Sequence, residues 1–283
     1  MIKLIAKADD EGRKLFKYLQ SVFKHMPTSH LYKILRKKDI KINSKRTNDE
    51  NLILHAGDLI EVYGVENDDL NLYTYDASIK LTSEIIYEDD NILILNKQNN
   101  VEVHGSKNSL DNQVLSYLNY KQDSAFKVSH VGRLDKETSG LIIYAKNYAA
   151  VTELNSKIGK FDKIYTLKSD YNEPDQIVSF YIHHDEKLKK MMATNQPYYP
   201  DDKKAETYIF KENNKLYAKL LTGKKHQIRV TMAYLNWPIY GDKKYGGKPD
   251  KRLFLHSYKL TFKNLEGKLA YLNNKTFICE PNW

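Results

Sequence analysis

The stretch from His130 to Lys146, His-Val-Gly-Arg-Leu-Asp-Lys-Glu-Thr-Ser-Gly-Leu-Ile-Ile-Tyr-Ala-Lys, constrains the folding of this chain more than any other. It sets Arg133 and Asp135 two residues apart, follows them with a Thr138-Ser139-Gly140 turn, and ends in an apolar run, Leu141 to Ala145. That run is strand-length and cannot remain in water, so it predicts a buried strand whose entry turn carries an arginine and an aspartate. Further strand-like segments lie at 163–168, 206–210, 216–221 and 258–262, and residues 85–97 read as a hairpin with a tight acidic turn. Helical spacing predicts helices at 110–120, 147–158 and 225–236. The expected fold class is α+β, with a mainly antiparallel sheet flanked by helices.

Ahead of this part, residues 10–62 read as a compact unit. Apolar positions 15, 16, 19, 22 and 23 predict a first helix, and 30–36 a second. Pro27-Thr28-Ser29 should stop the first helix and cap the next, because Ser and Thr side chains satisfy free amides at a helix start. Strands are expected at 40–43 and 59–63. Between His30 and Arg46 stand Lys33, Arg36, Lys37, Lys38, Lys41, Lys45 and Arg46 against one acid, Asp39, a net charge of +6. With 283 residues and 41% hydrophobic content, the chain can bury one large core and a satellite core. The expected organisation is a small N-terminal domain at 1–64, a polar linker at 65–82 and a larger domain at 83–283.

The whole chain carries 45 Lys and Arg against 36 Asp and Glu, a surplus of +9 that favours a polyanionic partner, nucleic acid ahead of an anionic membrane. No segment approaches the roughly 18 apolar residues of a membrane span, and Met1 to Lys7 is too short for the apolar region of a secretory signal. A cytoplasmic protein without a membrane partner is expected. A single cysteine, Cys279, read as inert, excludes an intramolecular disulfide framework. The histidines lack ligand spacing, His183 and His184 being adjacent rather than four apart, so no metal is expected.

The string Arg133-Leu-Asp135-x-x-Thr-Ser-Gly140 resembles the signature of the large-subunit ribosomal type of RNA pseudouridine synthase. Four further elements resemble the same family: Lys163-Ile-Tyr165; Leu221-Thr-Gly-Lys-Lys-His-Gln-Ile-Arg229; Trp237-Pro-Ile-Tyr-Gly-Asp-x-x-Tyr-Gly-Gly247; and Leu253-Phe-Leu-His256-Ser. An Asn96-Lys97…Val103-His104-Gly105 element belongs with them. Residues 10–63 resemble the small RNA-binding module named after the S-four ribosomal protein, in which the second helix and following loop lie against RNA phosphates. The chain departs from the family pattern at Gln98 and Asn100, often Pro and Gly; at Gly132, usually His in this branch; at Lys224, often Arg; and at Thr231, often His.

The resemblance implies isomerisation of uridine to pseudouridine in RNA, with large-subunit ribosomal RNA as the expected substrate and Asp135 as covalent catalyst. The bond from the ribose to the base nitrogen must break, the base turn, and a carbon bond form in its place, with no net redox change, so no cofactor is expected. Burial alone neutralises a carboxylate, so a fixed cation is needed. By resemblance it is Arg229, whose guanidinium can grip a carboxylate bidentately. By resemblance Tyr165 stacks on the uracil. Because the target base must leave its stack, an inserted side chain should hold the gap, and Arg133 is the candidate. Lys163, Lys33, Arg36, Lys37, Lys38 and Lys41 are expected RNA contacts, and His226 and His256 are expected supports for the Arg229 loop and the core.

Two other classes compete. A non-catalytic RNA-binding or ribosome-assembly protein would not need Asp135, Tyr165 and Arg229 together. An RNA methyltransferase would need a glycine-rich cofactor turn, and no G-x-G-x-G pattern occurs among the 12 glycines. Transfer RNA is the alternative substrate, and a monomer is expected by analogy.

Overall fold

A computed structural model describes all residues except Lys24, 71–74 and 121–124; part of the expected linker thus lies outside the described residues. The N-terminal part contains β1 (Ile2–Ile5), α1 (Leu15–Val22), α2 (Thr28–Arg36), β2 (Ile40–Ile42), β3 (Lys45–Thr47) and β4 (Leu59–Val62). Its antiparallel sheet has the order β1-β4-β2-β3. The helices supply Leu15, Leu19, Phe23, Leu31 and Leu35 to a core closed by Ile40, Ile60 and Val62.

The remainder forms β5 (Glu84–Glu88), β6 (Ile92–Lys97), α3 (Leu110–Tyr117), β7 (Ser129–Val131), β8 (Ser139–Ala145), α4 (Tyr148–Lys157) and β9 (Asp162–Leu167). It continues with β10 (Gln176–Asp185), β11 (Lys190–Thr194), β12 (Lys203–Glu212), β13 (Lys215–Leu220), α5 (Gln227–Tyr234), β14 (Leu255–Thr261) and β15 (Thr276–Ile278). These strands make one large sheet, ordered β11-β10-β12-β13-β9-β14-β8-β6-β5, with β7 also on β8 and β15 on β14. The β8–β14 pair is parallel and every other pairing is antiparallel.

Strand β6 is apolar at four successive positions because both its faces are covered: Leu93 and Leu95 enter one core, Ile92 and Ile94 the other. The parallel pair joins the two halves of the sheet through His256↔Ser139 and Ser257↔Gly140. Gly140 has φ +106°, and a Cβ there would lie 2.3 Å from the Ser257 carbonyl oxygen, so only glycine lets β14 lie beside β8. The Thr-Ser-Gly and Leu-His-Ser elements, distant in sequence, are therefore one joint. Ser139 Oγ lies 2.9 Å from His256 Nδ1 and accepts from Arg252 Nη2 at 2.6 Å.

Two expectations are corrected. The Thr28 and Ser29 side chains cap nothing. Pro27 precedes a helix that begins at Thr28, and the Pro27 carbonyl accepts from His30 N at 2.8 Å and Leu31 N at 3.3 Å. Pro27 occupies the cap position with ψ +137°, and the first turn closes onto its carbonyl while exposed Thr28 and Ser29 face water. Second, β1, β3, β7, β10, β11 and β15 were not expected. Strand β10 does alternate, with Val178, Phe180 and Ile182 buried, whereas edge strand β11 is half-buried throughout and carries no period-two signal.

The N-terminal part touches the larger part through Asp10, in the turn between β1 and α1, which is fully buried beside Arg13. Asp10 Oδ1 accepts from Ala125 N at 3.3 Å, and the Arg13 guanidinium lies 4.7 Å from the centre of the Tyr148 ring. No described helix is long and apolar enough to cross a membrane.

Candidate active site

Asp135 sits at the turn just before β8. Its backbone carbonyl, not its side chain, closes that turn by accepting from Thr138 N at 3.1 Å. The carboxylate is thereby left to a cleft of about 620 Å³ lined by Arg133, Asp135, Lys163, Tyr165, His226 and Arg229 among others. The side chain is 26% exposed, open to a ligand on one side only.

Arg229 reaches this carboxylate from the first turn of α5. Its Nη1 donates to Asp135 Oδ2 at 3.3 Å. The expected bidentate grip exists, but on another residue: Nε and Nη2 donate to the two oxygens of Asp242, both at 2.8 Å. Asp242 is fixed in turn by the amides of Lys244 and Tyr245, each 3.1 Å from Oδ1. Asp242 therefore anchors the guanidinium and leaves one nitrogen to meet Asp135. Glu137 Oε2 lies 3.1 Å from Nη2, so three carboxylates surround one cation. Burial alone would lower the Arg229 pKa, but the hydrogen bonds and charge of Asp242, with Asp135 and Glu137, raise it above its ordinary value.

His226 precedes α5 in the left-handed conformation, φ +56°. Its Nε2 lies 3.6 Å from Asp135 Oδ2, beyond hydrogen-bond length, and its Nδ1 is 2.8 Å from the Tyr245 hydroxyl. That hydroxyl also accepts from Met191 N at 3.1 Å, which ties the His226 ring to β11. Burial holds His226 down at about 4 despite the Asp135 charge, so the ring is neutral at pH 7. Gln227 ties the same loop to β12: Oε1 accepts from Lys224 N, and Nε2 donates to the Glu206 carbonyl and Thr207 Oγ1.

Tyr165 comes from the middle of β9, where its pairing partners are Ala218 and Ser257. It is 8% exposed, and burial pushes its hydroxyl up to about 12, with a hydrogen bond to Ser257 acting the other way. Lys163, two residues earlier, lines the cleft and donates to the Ile158 carbonyl at 2.9 Å; burial lowers its pKa. Arg133 is exposed at the mouth of the cleft.

Lys97 is the residue with the clearest unanticipated position. It is fully buried at the end of β6, and its Nζ donates to the carbonyls of Gln98 and Val101, both at 2.9 Å, and of Lys136 at 3.0 Å. Three carbonyls match the three protons of an ammonium, so Lys97 clamps the loop that carries Asp135. Burial pushes its pKa down to about 7, the Asp135 charge acting against this. Asn100, where the family often has glycine, takes φ +63°.

Lys33, Arg36, Lys37 and Lys38 are exposed on α2 and the turn after it; Lys38 takes φ +57°. Lys41 is half-buried with Nζ 5.3 Å from the centre of the Tyr63 ring, and Arg46 donates to the Lys38 carbonyl at 2.6 Å. His256 is buried between Ser139 and the Cys279 carbonyl, and the buried Cys279 thiol is pushed up to about 11, principally by burial. Among the described residues no group of three or more His, Cys, Asp and Glu side chains is placed to hold a metal ion. Asp242 and Lys97 both stand inside segments whose family resemblance is visible in the sequence. Only the fold reveals that one holds Arg229 and the other the Asp135 loop.

The profile of the RNA pseudouridylate synthase family matches residues 91–234, which include Asp135, Tyr165 and Arg229. An uncharacterised RNA pseudouridine synthase of Mycoplasma capricolum is 40% identical over 100% of this chain and 99% of its own length. A ribosomal large subunit pseudouridine synthase C of Rickettsia felis is 32% identical over 94% of this chain and 96% of its own. Among solved structures, human RNA pseudouridylate synthase domain containing 1 is similar in fold, with a TM-score of 0.57 at 20% identity over 75% of this chain and 86% of that one. The chain therefore belongs to the RNA pseudouridine synthase family, enzymes that isomerise uridine in RNA.

Proposed function

We propose that this enzyme modifies large-subunit ribosomal RNA, with Asp135 as its covalent catalyst. The observation that carries the reading is one carboxylate, Asp135, set in a cleft between a buried, anchored guanidinium and the buried Tyr165. Arg229 and His226 both face Oδ2, so Oδ1 is the oxygen free to attack. The ribose-to-nitrogen bond breaks as the carboxylate takes part, the uracil turns, C5 bonds to the ribose, and the C5 proton leaves. Tyr165 stacks on the uracil and holds its hydroxyl near the sugar. A phenol raised to about 12 stays protonated at neutral pH, so it serves as a donor. Arg133, exposed at the cleft mouth, fills the space left by the flipped base.

The substrate assignment rests on relatives, including those of Rickettsia felis and Escherichia coli K12, that are named ribosomal large subunit pseudouridine synthase C. Residues 1–64 form the RNA-binding domain, 65–82 the linker and 83–283 the catalytic domain. The exposed Lys33, Arg36, Lys37 and Lys38, with Lys41 beside them, hold RNA phosphates, and Lys163 contacts RNA at the cleft wall. The enzyme works as a monomer in the cytoplasm. The test is release of tritium from transcripts carrying uridine tritiated at C5. Release from large-subunit ribosomal RNA by the natural enzyme, and none by Asp135→Ala, supports the proposal; release from transfer RNA alone reassigns the substrate.

A further inference from the structure

A second cavity of about 310 Å³ opens beside the catalytic cleft, and Lys224 and Lys225 line both. The two are also connected through Met191, which lines the second cavity and donates to Tyr245, the partner of His226 beside Asp135. Tyr199, 49% exposed, lines it, and Tyr198, 70% exposed, adjoins it through the lining residues Tyr199 and His183; the protein core uses neither ring. They are held in place nonetheless. Tyr198 stacks on His183 at 5.5 Å and 24°, and meets Tyr199 edge-on at 4.7 Å. The nearly buried Asp202 carboxylate accepts from both backbone amides, at 2.6 and 3.0 Å, and lies 3.7 Å from His183 Nδ1.

The Tyr198 ring is thus held by His183 and Tyr199 while 70% of the residue stays exposed. Lys203, Lys224 and Lys225 border the cavity, and none forms an ion pair among the described residues, whereas the adjacent Lys204 pairs with Glu206. The exposed Asp201 also lines the cavity, and Lys224 and Lys225, which line the catalytic cleft as well, are the cations placed to take an anion between the two. An ordered aromatic face next to unpaired cations is the arrangement that takes a single-stranded nucleotide: the base stacks and the phosphate pairs.

We propose that this cavity is a subsite for a single-stranded nucleotide neighbouring the target uridine, its base on Tyr198 and Tyr199 and its phosphate on Lys224 and Lys225. The proposal rests on the reading of the Asp135 cleft as the uridine site. A stacked base contributes about one to three kcal/mol, so loss of both rings should weaken RNA binding roughly tenfold or more. The experiment compares the full-length natural chain with Tyr198→Ala/Tyr199→Ala, whose side chains are exposed enough for the fold to survive. Two readouts are taken: single-turnover tritium release from the ribosomal transcript, and the affinity for a fluorescent decauridylate.

The expected result is a rise of about tenfold in the enzyme concentration for half-maximal rate, a plateau rate within about twofold of natural, and a parallel loss of decauridylate affinity. Unchanged half-saturation and affinity overturn the proposal, as does a lower plateau rate at unchanged half-saturation. Failure of the natural chain to release tritium from both ribosomal and transfer RNA transcripts refutes the reading of the Asp135 cleft instead, and the decauridylate arm still decides whether the cavity binds single-stranded RNA. Unchanged RNA affinity with loss of a dimer in light scattering overturns the proposal and assigns the face to a second copy of the chain.

Discussion

Replacing Asp242 by asparagine tests whether the anchoring of Arg229 governs catalysis. Asp242 is 1% exposed and receives both Nε and Nη2 of Arg229 at 2.8 Å. An asparagine oxygen can keep Nη2 and the Lys244 and Tyr245 amides, but its NH2 group then meets the Nε proton, donor against donor. One charged hydrogen bond is lost, worth about 1.5–3 kcal/mol, and removing one partner of a buried pair costs about 3–5 kcal/mol. Asp135 and Glu137 remain within reach of the cation, so the lower end applies, about 3 kcal/mol, and the melting temperature should fall by roughly 6–12 °C. The freed guanidinium turns toward Asp135 and Glu137 and shifts the Asp135 carboxylate; if that group reacts as proposed, a displacement of about 1 Å can lower the rate roughly 100-fold. Single-turnover tritium release should show that loss, with RNA affinity within about twofold because Asp242 is out of RNA's reach. A variant with natural melting temperature and rate would show that Asp242 does not anchor Arg229 for catalysis.

Other consequences follow from the same geometry. Tyr165→Phe should fold normally and bind RNA, yet lose about 100-fold in single-turnover rate if the hydroxyl donates a proton; a rate within threefold of natural would reduce Tyr165 to packing. His256, held at about 4 by burial, binds its proton in the unfolded chain first as pH falls below 6.5. It therefore contributes stability above pH 6.5 that is lost as pH falls toward 4, about 3 kcal/mol in all. Urea unfolding of His256→Gln should show a shallower decline over that window, and an unaltered slope would contradict the assignment. Removing Lys33, Arg36 and Lys37 together should reduce the slope of log affinity against log salt by roughly 2–3, and an unchanged slope would remove this face from the RNA interface.

Much of this arrangement was legible in local sequence because each segment's function and its secondary structure coincide. The apolar run after Gly140 had to be a strand, and the Asp at its entry had to lie near the strand's end. Lys163 and Tyr165, two apart on one strand, share a face because strand side chains point to opposite sides in turn. What could not be read were the pairings between segments. Nothing local says that Arg229 takes its bidentate partner from Asp242, that Lys97 closes on the Lys136 carbonyl, or that Gly140 is needed to admit β14. The failed cap at Thr28 has a similar origin, since the Pro27 carbonyl and solvent did the work assigned to a side chain. Strand β11 was missed because an edge strand half-buried at every position leaves no alternation to detect.

Whether Asp135 modifies ribosomal RNA is decided by mapping pseudouridine in large-subunit ribosomal RNA from cells lacking this protein, complemented with the natural chain or with Asp135→Ala. Particular uridines should lose modification in the deletion, and only the natural chain should restore them. An unchanged map, or equal restoration by Asp135→Ala, would contradict that role for Asp135.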